Sequence, residues 1–270
     1  MKTLKTAIYI FFLLTFASCT KVISLKLGNN TNELVIEGNV TNTAGPQIIK
    51  LSTNVPFSNT NIYPPVTGAT VSVSDQDGNI FQFTEGPNGT YSNAQLTGIP
   101  GNTYTMSVTT GGKNYIAKST MPAVVNLDSI TSKNDVIQTS DNKKVVTVYY
   151  QDPASVVNQY RFVLYVNSVQ ADDIYAFNDQ FDNGRYVSID LRENTGGTSV
   201  DKGIFSGDTV TVEMQCIDLP VYTYWETLMQ EQSNGPGGGV TPSNPPTNIT
   251  PATLGYFSAH TTQSQTIIVK

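Results

Sequence analysis

The stretch TVSVSDQDGNIFQFTE, residues 70–85, decides the fold class. Val71 and Val73 alternate with Ser72 and Ser74, and Phe81 and Phe83 alternate with Gln82 and Thr84. A strand turns successive side chains to opposite faces, so this period gives each half one buried and one wet face. Between the halves, Asp77-Gly78-Asn79 supplies the residues that tolerate a hairpin's backbone. The pattern repeats outward. Tyr104, Met106 and Val108 alternate with Thr105 and Ser107. Pro87-Asn88-Gly89, Pro100-Gly101 and Gly111-Gly112 are further turns, and Leu34-Val35-Ile36 and Gln47 to Thr53 are upstream strands. About seven short strands over residues 33–121, turning every 8–12 residues or so, predict an immunoglobulin-like sandwich.

Met121-Pro122 closes this unit, since proline removes a donor and suits a strand end. A second set of strands follows. Val145 to Tyr150 and Tyr160 to Val166 are rich in β-formers and joined through Asp152-Pro153. Val187, Ile189 and Leu191 alternate with polar residues, as do Val210, Val212, Met214 and Cys216. The acidic stretch from Asp172 to Asn183 reads as a long loop or a short helical turn. Tyr222, Trp225, Leu228 and Met229 instead fall at helical spacing, with Glu226, Gln230 and Glu231 outside, which predicts one helix near 221–232. Pro220 can start it and Asn234-Gly235 can end it. Residues 235–246 contain eight Gly or Pro in twelve and read as an irregular loop. Thr266 to Lys270 is a final strand. The expectation is an all-β chain: tandem immunoglobulin-like β-sandwich domains at 33–122 and 123–270, with one short helix in the second.

The amino terminus sets the compartment. Lys2 and Lys5 precede the apolar run AIYIFFLLTFA at 7–17, and Ala17-Ser18 then leads into Cys19. A basic start, a short apolar core and small residues make a secretory signal peptide, here residues 1–18. The run is too short for a membrane span, which needs about 20 apolar residues. Cys at the cleavage point reads as the lipidation site of a bacterial lipoprotein, with 19–32 a lipidated tether. Several acyl chains give the durable anchoring that one cannot. A plain secretory signal with an incidental Cys19 is the other reading.

Composition excludes several classes. Without residues 1–18, which hold Lys2 and Lys5, 13 basic residues stand against 21 acidic ones, a net charge of −8. No basic cluster exists, so neither nucleic acid nor an anionic lipid surface has its electrostatic footprint. Charged residues are 13% of the chain, against about 25% in an average soluble protein. Once Cys19 is lipidated, Cys216 is alone and no intrachain disulfide forms. Its position on an apolar strand face reads as a buried structural thiol.

Catalytic constellations are not marked. His260 is the single histidine. It lacks a nucleophile signature and reads as a satisfied or exposed loop histidine. One His and one free Cys do not make a zinc site. Asp75-x-Asp77-Gly78-Asn79 fails the EF-hand pattern, which wants Gly and Glu where Ile80 and Gly86 stand. Asp172, Asp173, Asp179 and Asp182 form an acidic loop that would suit a hard cation only with fixed spacing. The chain is therefore read with no catalytic residues, metal or cofactor. Tyr222, Trp225 and Tyr256 are the candidates for ligand or partner binding, because aromatic side chains serve both sugar platforms and protein interfaces. The competing reading is that Trp225 packs the helix onto a sheet.

Three stretches carry a family resemblance: Ser18-Cys19-Thr20-Lys21-Val22-Ile23; the run from Leu34-Val35-Ile36-Glu37-Gly38 through Pro64-Pro65-Val66-Thr67-Gly68 to Gly98-Ile99-Pro100-Gly101; and Asn244-Pro245-Pro246-Thr247-Asn248-Ile249 with Leu254-Gly255-Tyr256-Phe257. In order and spacing they resemble the DUF4249 lipoproteins of the phylum Bacteroidota. The resemblance implies a palmitate-bearing outer-membrane protein associated with a TonB-dependent transporter, without implying a mechanism. No acid follows Cys19 as far as Leu27, so the membrane face stays open, as does the oligomeric state. The alternatives are a glycan- or peptide-active hydrolase using acidic loop residues, and a structural or adhesion protein of the envelope.

Overall fold

The computed structural model describes residues 31–56, 62–137, 142–193, 202–233 and 243–270. Residues 1–18, read from the sequence as a signal peptide, and Cys19 lie outside the described residues, as does most of the Gly/Pro-rich loop at 235–246. Seven strands make the first sandwich: β1 (Leu34–Thr41), β2 (Gln47–Thr53), β3 (Thr70–Ser74), β4 (Ile80–Glu85), β5 (Thr90–Asn93), β6 (Thr103–Thr110) and β7 (Lys113–Thr120). Val71 and Val73 of β3 face Phe83 and Phe81 of β4 across the predicted hairpin. Asp75 closes its turn, accepting N–H bonds from Asp77 and Asn79 at 3.0 and 2.9 Å. The alternating residues Ile36, Val40, Ile49, Leu51, Val71, Val73, Tyr104, Met106 and Val108 are all buried in one core.

The second sandwich holds β8 (Ser129–Asn134), β9 (Lys144–Gln151), β10 (Gln159–Val166), β11 (Val169–Gln170), β12 (Tyr175–Asn178), β13 (Tyr186–Leu191) and β14 (Thr209–Ile217). The sheet β13-β9-β8 lies across a core from β10 and β14. Tyr150, Tyr160, Phe162, Leu164, Val212, Met214 and Cys216 fill it. Helix α1 (Leu219–Ser233) follows β14, then β15 (Ile249–Thr250) and β16 (Leu254–Ile268). The fold is thus all-β with immunoglobulin-like sandwiches and one short helix among the described residues. None of the described helices is long and apolar enough to cross a membrane.

Three expectations need correction. The segment from Asp172 to Asn183 is not simply a loop, because β12 lies in it and pairs antiparallel with β10. Tyr175 and Phe177 pack against the second core while Ala176 turns to the helix, so its alternation was real but only four residues long. The last strand does not begin at Thr266. It begins at Leu254 and runs 15 residues, about 50 Å at strand rise. Nor does the architecture divide cleanly at residue 122. Val35 to Thr41 of β1 pair in parallel with Leu254 to His260, while Thr261 to Ile268 pair antiparallel with β14. Phe257 and Ala259 sit in the first core and Val269 in the second. β15 also joins the first sandwich, beside β7. One strand therefore serves both halves, and residues 31–270 form one unit.

Gly255 permits the parallel approach. Its φ is +98°, and a Cβ there would overlap the Ile36 carbonyl oxygen. Gly112 has a comparable φ of +73° but open space around it. Gly255→Ala is expected to cost about 3 kcal/mol or more in urea unfolding, against about 1 kcal/mol for Gly112→Ala. Equal losses would mean that the contact between β1 and β16 is not the limiting one.

Candidate functional site

The outer face of the shared sheet is the face turned away from both cores. Because β10 places Tyr160, Phe162 and Leu164 inward, Arg161, Val163 and Tyr165 point outward. Arg161 stands opposite Gln215 of β14, and Val163 opposite Glu213. Neighbouring β16 adds Tyr256, Ser258 and His260, and β1 adds Glu37 and Asn39. Helix α1 lies over this surface, packed on β12, β10 and β16. Asp218 anchors its first turn, accepting from Val221 N at 3.3 Å with one oxygen. Its other oxygen takes Ser119 Oγ at 2.8 Å and Thr120 N at 3.0 Å, which ties the helix to β7.

The helix brings an aromatic cluster onto the sheet. Tyr224, Trp225 and Tyr256 meet with ring centroids 5.0–5.3 Å apart. The Arg161 guanidinium lies 3.7 Å from the Trp225 ring centroid, a stacked cation–π contact. Arg161 Nη1 donates to Gln215 Oε1 at 3.0 Å, and Gln215 Nε2 donates in turn to Glu213 Oε1 at 2.6 Å. Burial pulls the guanidinium pKa down, opposed by Tyr256 and Glu213. A cleft of about 560 Å³ opens beside this group, with Glu37, Asn39, Gln47, Arg161, Glu213 and His260 among its walls. A smaller hollow of about 330 Å³ lies against Arg161 and Trp225 with Gln170 to Ile174, so the stacked pair lines both.

His260 is on a strand, not a loop. It is 2% exposed, and its Nδ1 is 2.9 Å from Ser258 Oγ. Burial, then the Arg161 charge, drops its pKa to about 3, so the ring is neutral. Ser258 and His260 share a buried strand face, and among the described residues no carboxylate is bonded to the ring.

The sequence matches the family model described as Domain of unknown function (DUF4249) over residues 20–266. The chain belongs to this family. No curated protein matches the sequence. Among solved structures, a two-domain fibronectin type-III segment of chicken tenascin is 14% identical, with a TM-score of 0.22, covering 69% of this chain and 90% of its own. The adhesin InvE of Yersinia pseudotuberculosis is 18% identical, with a TM-score of 0.20, covering 68% of this chain and 55% of its own. Superpositions this loose carry no argument about the site, so its reading rests on the geometry above.

Trp225 and Tyr256 meet ring to ring in the aromatic cluster, and Tyr222 is buried in the same hydrophobic cluster as Tyr256. The Tyr222 hydroxyl accepts from Asn178 Nδ2 of β12 at 3.0 Å, and burial raises its pKa to about 12. The acidic loop does not assemble. Asp172 pairs with Lys202, whereas buried Asp179 accepts from Asn158 N at 2.8 Å. Among the described residues no three His, Cys, Asp or Glu side chains gather as metal ligands. Arg161 was missed because Tyr160 to Val166 scans as a strand of β-formers. The available signal was a lone cation flanked on both sides by aromatic residues.

His260 makes acid stability testable. A folded pKa near 3 against about 6.5 unfolded leaves stability complete above pH 6.5 and erodes it below, as the unfolded chain takes up the proton. The loss from this residue reaches about 2 kcal/mol at pH 5. His260→Gln should lose correspondingly less between pH 7 and pH 5 in urea unfolding, each protein referred to its own value at pH 7. Parallel losses would show that His260 is not buried neutral.

Proposed function

We propose that this is a non-catalytic lipoprotein of the bacterial outer membrane, of the kind found in Bacteroidota. In this reading it is anchored through acylated Cys19 and holds a ligand or partner beside a TonB-dependent transporter. The observation that carries the reading is Cys19 at the end of a signal sequence, which makes the folded body a tethered one. Sandwich loops and sheet faces are common binding surfaces, and here the outer face offers an aromatic-lined cleft rather than a nucleophile and base.

Cys19→Ala should release the protein from washed membranes, and wild-type lipidated protein drawn from detergent-solubilised outer membrane should bring a TonB-dependent transporter with it in stoichiometric amount. Retention of the Cys19→Ala protein after a salt wash would remove the lipid anchor from this reading. Recovery of the wild-type protein alone would remove the transporter.

A further inference from the structure

Arg161 is a half-buried cation without a carboxylate of its own. Arg161 is in none of the ion pairs Lys133–Asp190, Arg192–Asp135, Arg192–Asp190 and Lys202–Asp172. A guanidinium withdrawn from water is normally compensated by an anion. The carboxylate best placed by register to do so, Glu213, gives its Oε1 to the Gln215 amide instead. Of the five N–H donors of arginine, one is engaged, by Gln215. Stacking on Trp225 fixes the plane of the fork, and a planar fixed fork matches two carboxylate oxygens at once. The fork borders a cleft of about 560 Å³, a usual size for a small-molecule site.

The rest of the wall narrows the ligand. His260 stays neutral and offers no second cation. Glu37 and Glu213 make the lining net negative, so a simple anion is disfavoured. A molecule with a carboxylate at one end and an ammonium at the other satisfies both signs. Side-chain amides of Asn39 and Gln170 can serve peptide groups between them.

We infer that this cleft is a binding site for a zwitterionic α-amino carboxylate, a free amino acid or a short peptide. The α-carboxylate would be held bidentate by Arg161 and the ammonium by the Glu37 and Glu213 side. The inference rests on the binding reading above and gives it a ligand class. Trp225, the sole tryptophan, is a built-in reporter.

The test is tryptophan fluorescence of the full lipidated protein in detergent, titrated with trialanine, alanine, trialanine C-terminal amide, N-acetyl-trialanine and galacturonate. Trialanine should change the emission saturably, and loss of its carboxylate should weaken binding about tenfold or more. N-acetylation should weaken it too. Arg161→Met should abolish the response, and Arg161→Lys, which keeps charge but loses the fork, should weaken it, thermal melts confirming that both are folded. An alanine response equal to that of trialanine assigns a single amino acid, and a weaker one a peptide. Either supports the inference. Equal binding of acid and amide, a saturable response to galacturonate alone, or none to any probe overturns it. If the probes fail while the transporter still co-purifies, the ligand class falls and the transporter reading stands.

Discussion

The parallel pairing of Leu254 to His260 with Val35 to Thr41 joins residues more than two hundred positions apart, and the rest of the molecule is arranged around it. It places β16 in the middle of the sheet, with β1 and β2 on one side and β14 and β10 on the other. A central strand must satisfy its backbone on both edges. Where β1 takes one edge of β16, side chains serve the other. Asn248 accepts from Phe257 N at 3.0 Å and donates to Phe257 O at 2.7 Å, and Ser119 Oγ accepts from Ala259 N at 2.8 Å. The Asn248 pair mimics a strand neighbour, and Ser119 itself donates to Asp218. The edge of β16, the strand β7 and the helix start are therefore linked through two side chains.

This linkage positions the cleft. β16 contributes Tyr256 and His260 from the same strand face, and its pairing with β14 sets Gln215 and Glu213 beside them. Helix α1 is held at its start by Asp218 and farther along by Trp225 on Arg161 and Tyr256. Burial raises the Asp218 pKa although several donors point at it, so that carboxylate is held in place at some electrostatic cost. A helix fixed at two points on a rigid sheet gives a preorganised wall, which lowers the ordering cost of binding.

Alternation made the first sandwich legible, because β3, β4 and β6 each have one buried and one wet face. Cys216 as a buried thiol and Asp75 as a hairpin turn followed from the same reasoning. β16 escaped it for a physical reason. From Gly255 to Thr261 it is buried on both faces, and from Ser258 to Thr266 it is mostly hydroxyl and amide side chains. Period-2 hydrophobicity needs one face in water, and this strand has none there. The aromatic residues of the helix were visible, but not their partner, since the Arg161 contact depends on a sheet face assembled from distant strands. Tyr222 and Trp225, three residues apart, share one side of the helix, and the Tyr222 hydroxyl meets Asn178 of β12.

β16 follows every strand that it joins. Until it emerges, β1 lacks its parallel neighbour, β14 lacks one edge partner and neither core has all its residues. Long-range pairing of this sort forms slowly, because the intervening chain must be ordered before the contacts exist to offset the entropy. Partial chains can therefore build hairpins such as that between β3 and β4 without completing either sandwich. A chain made residue by residue therefore holds neither core complete until β16, the last described strand, has been added.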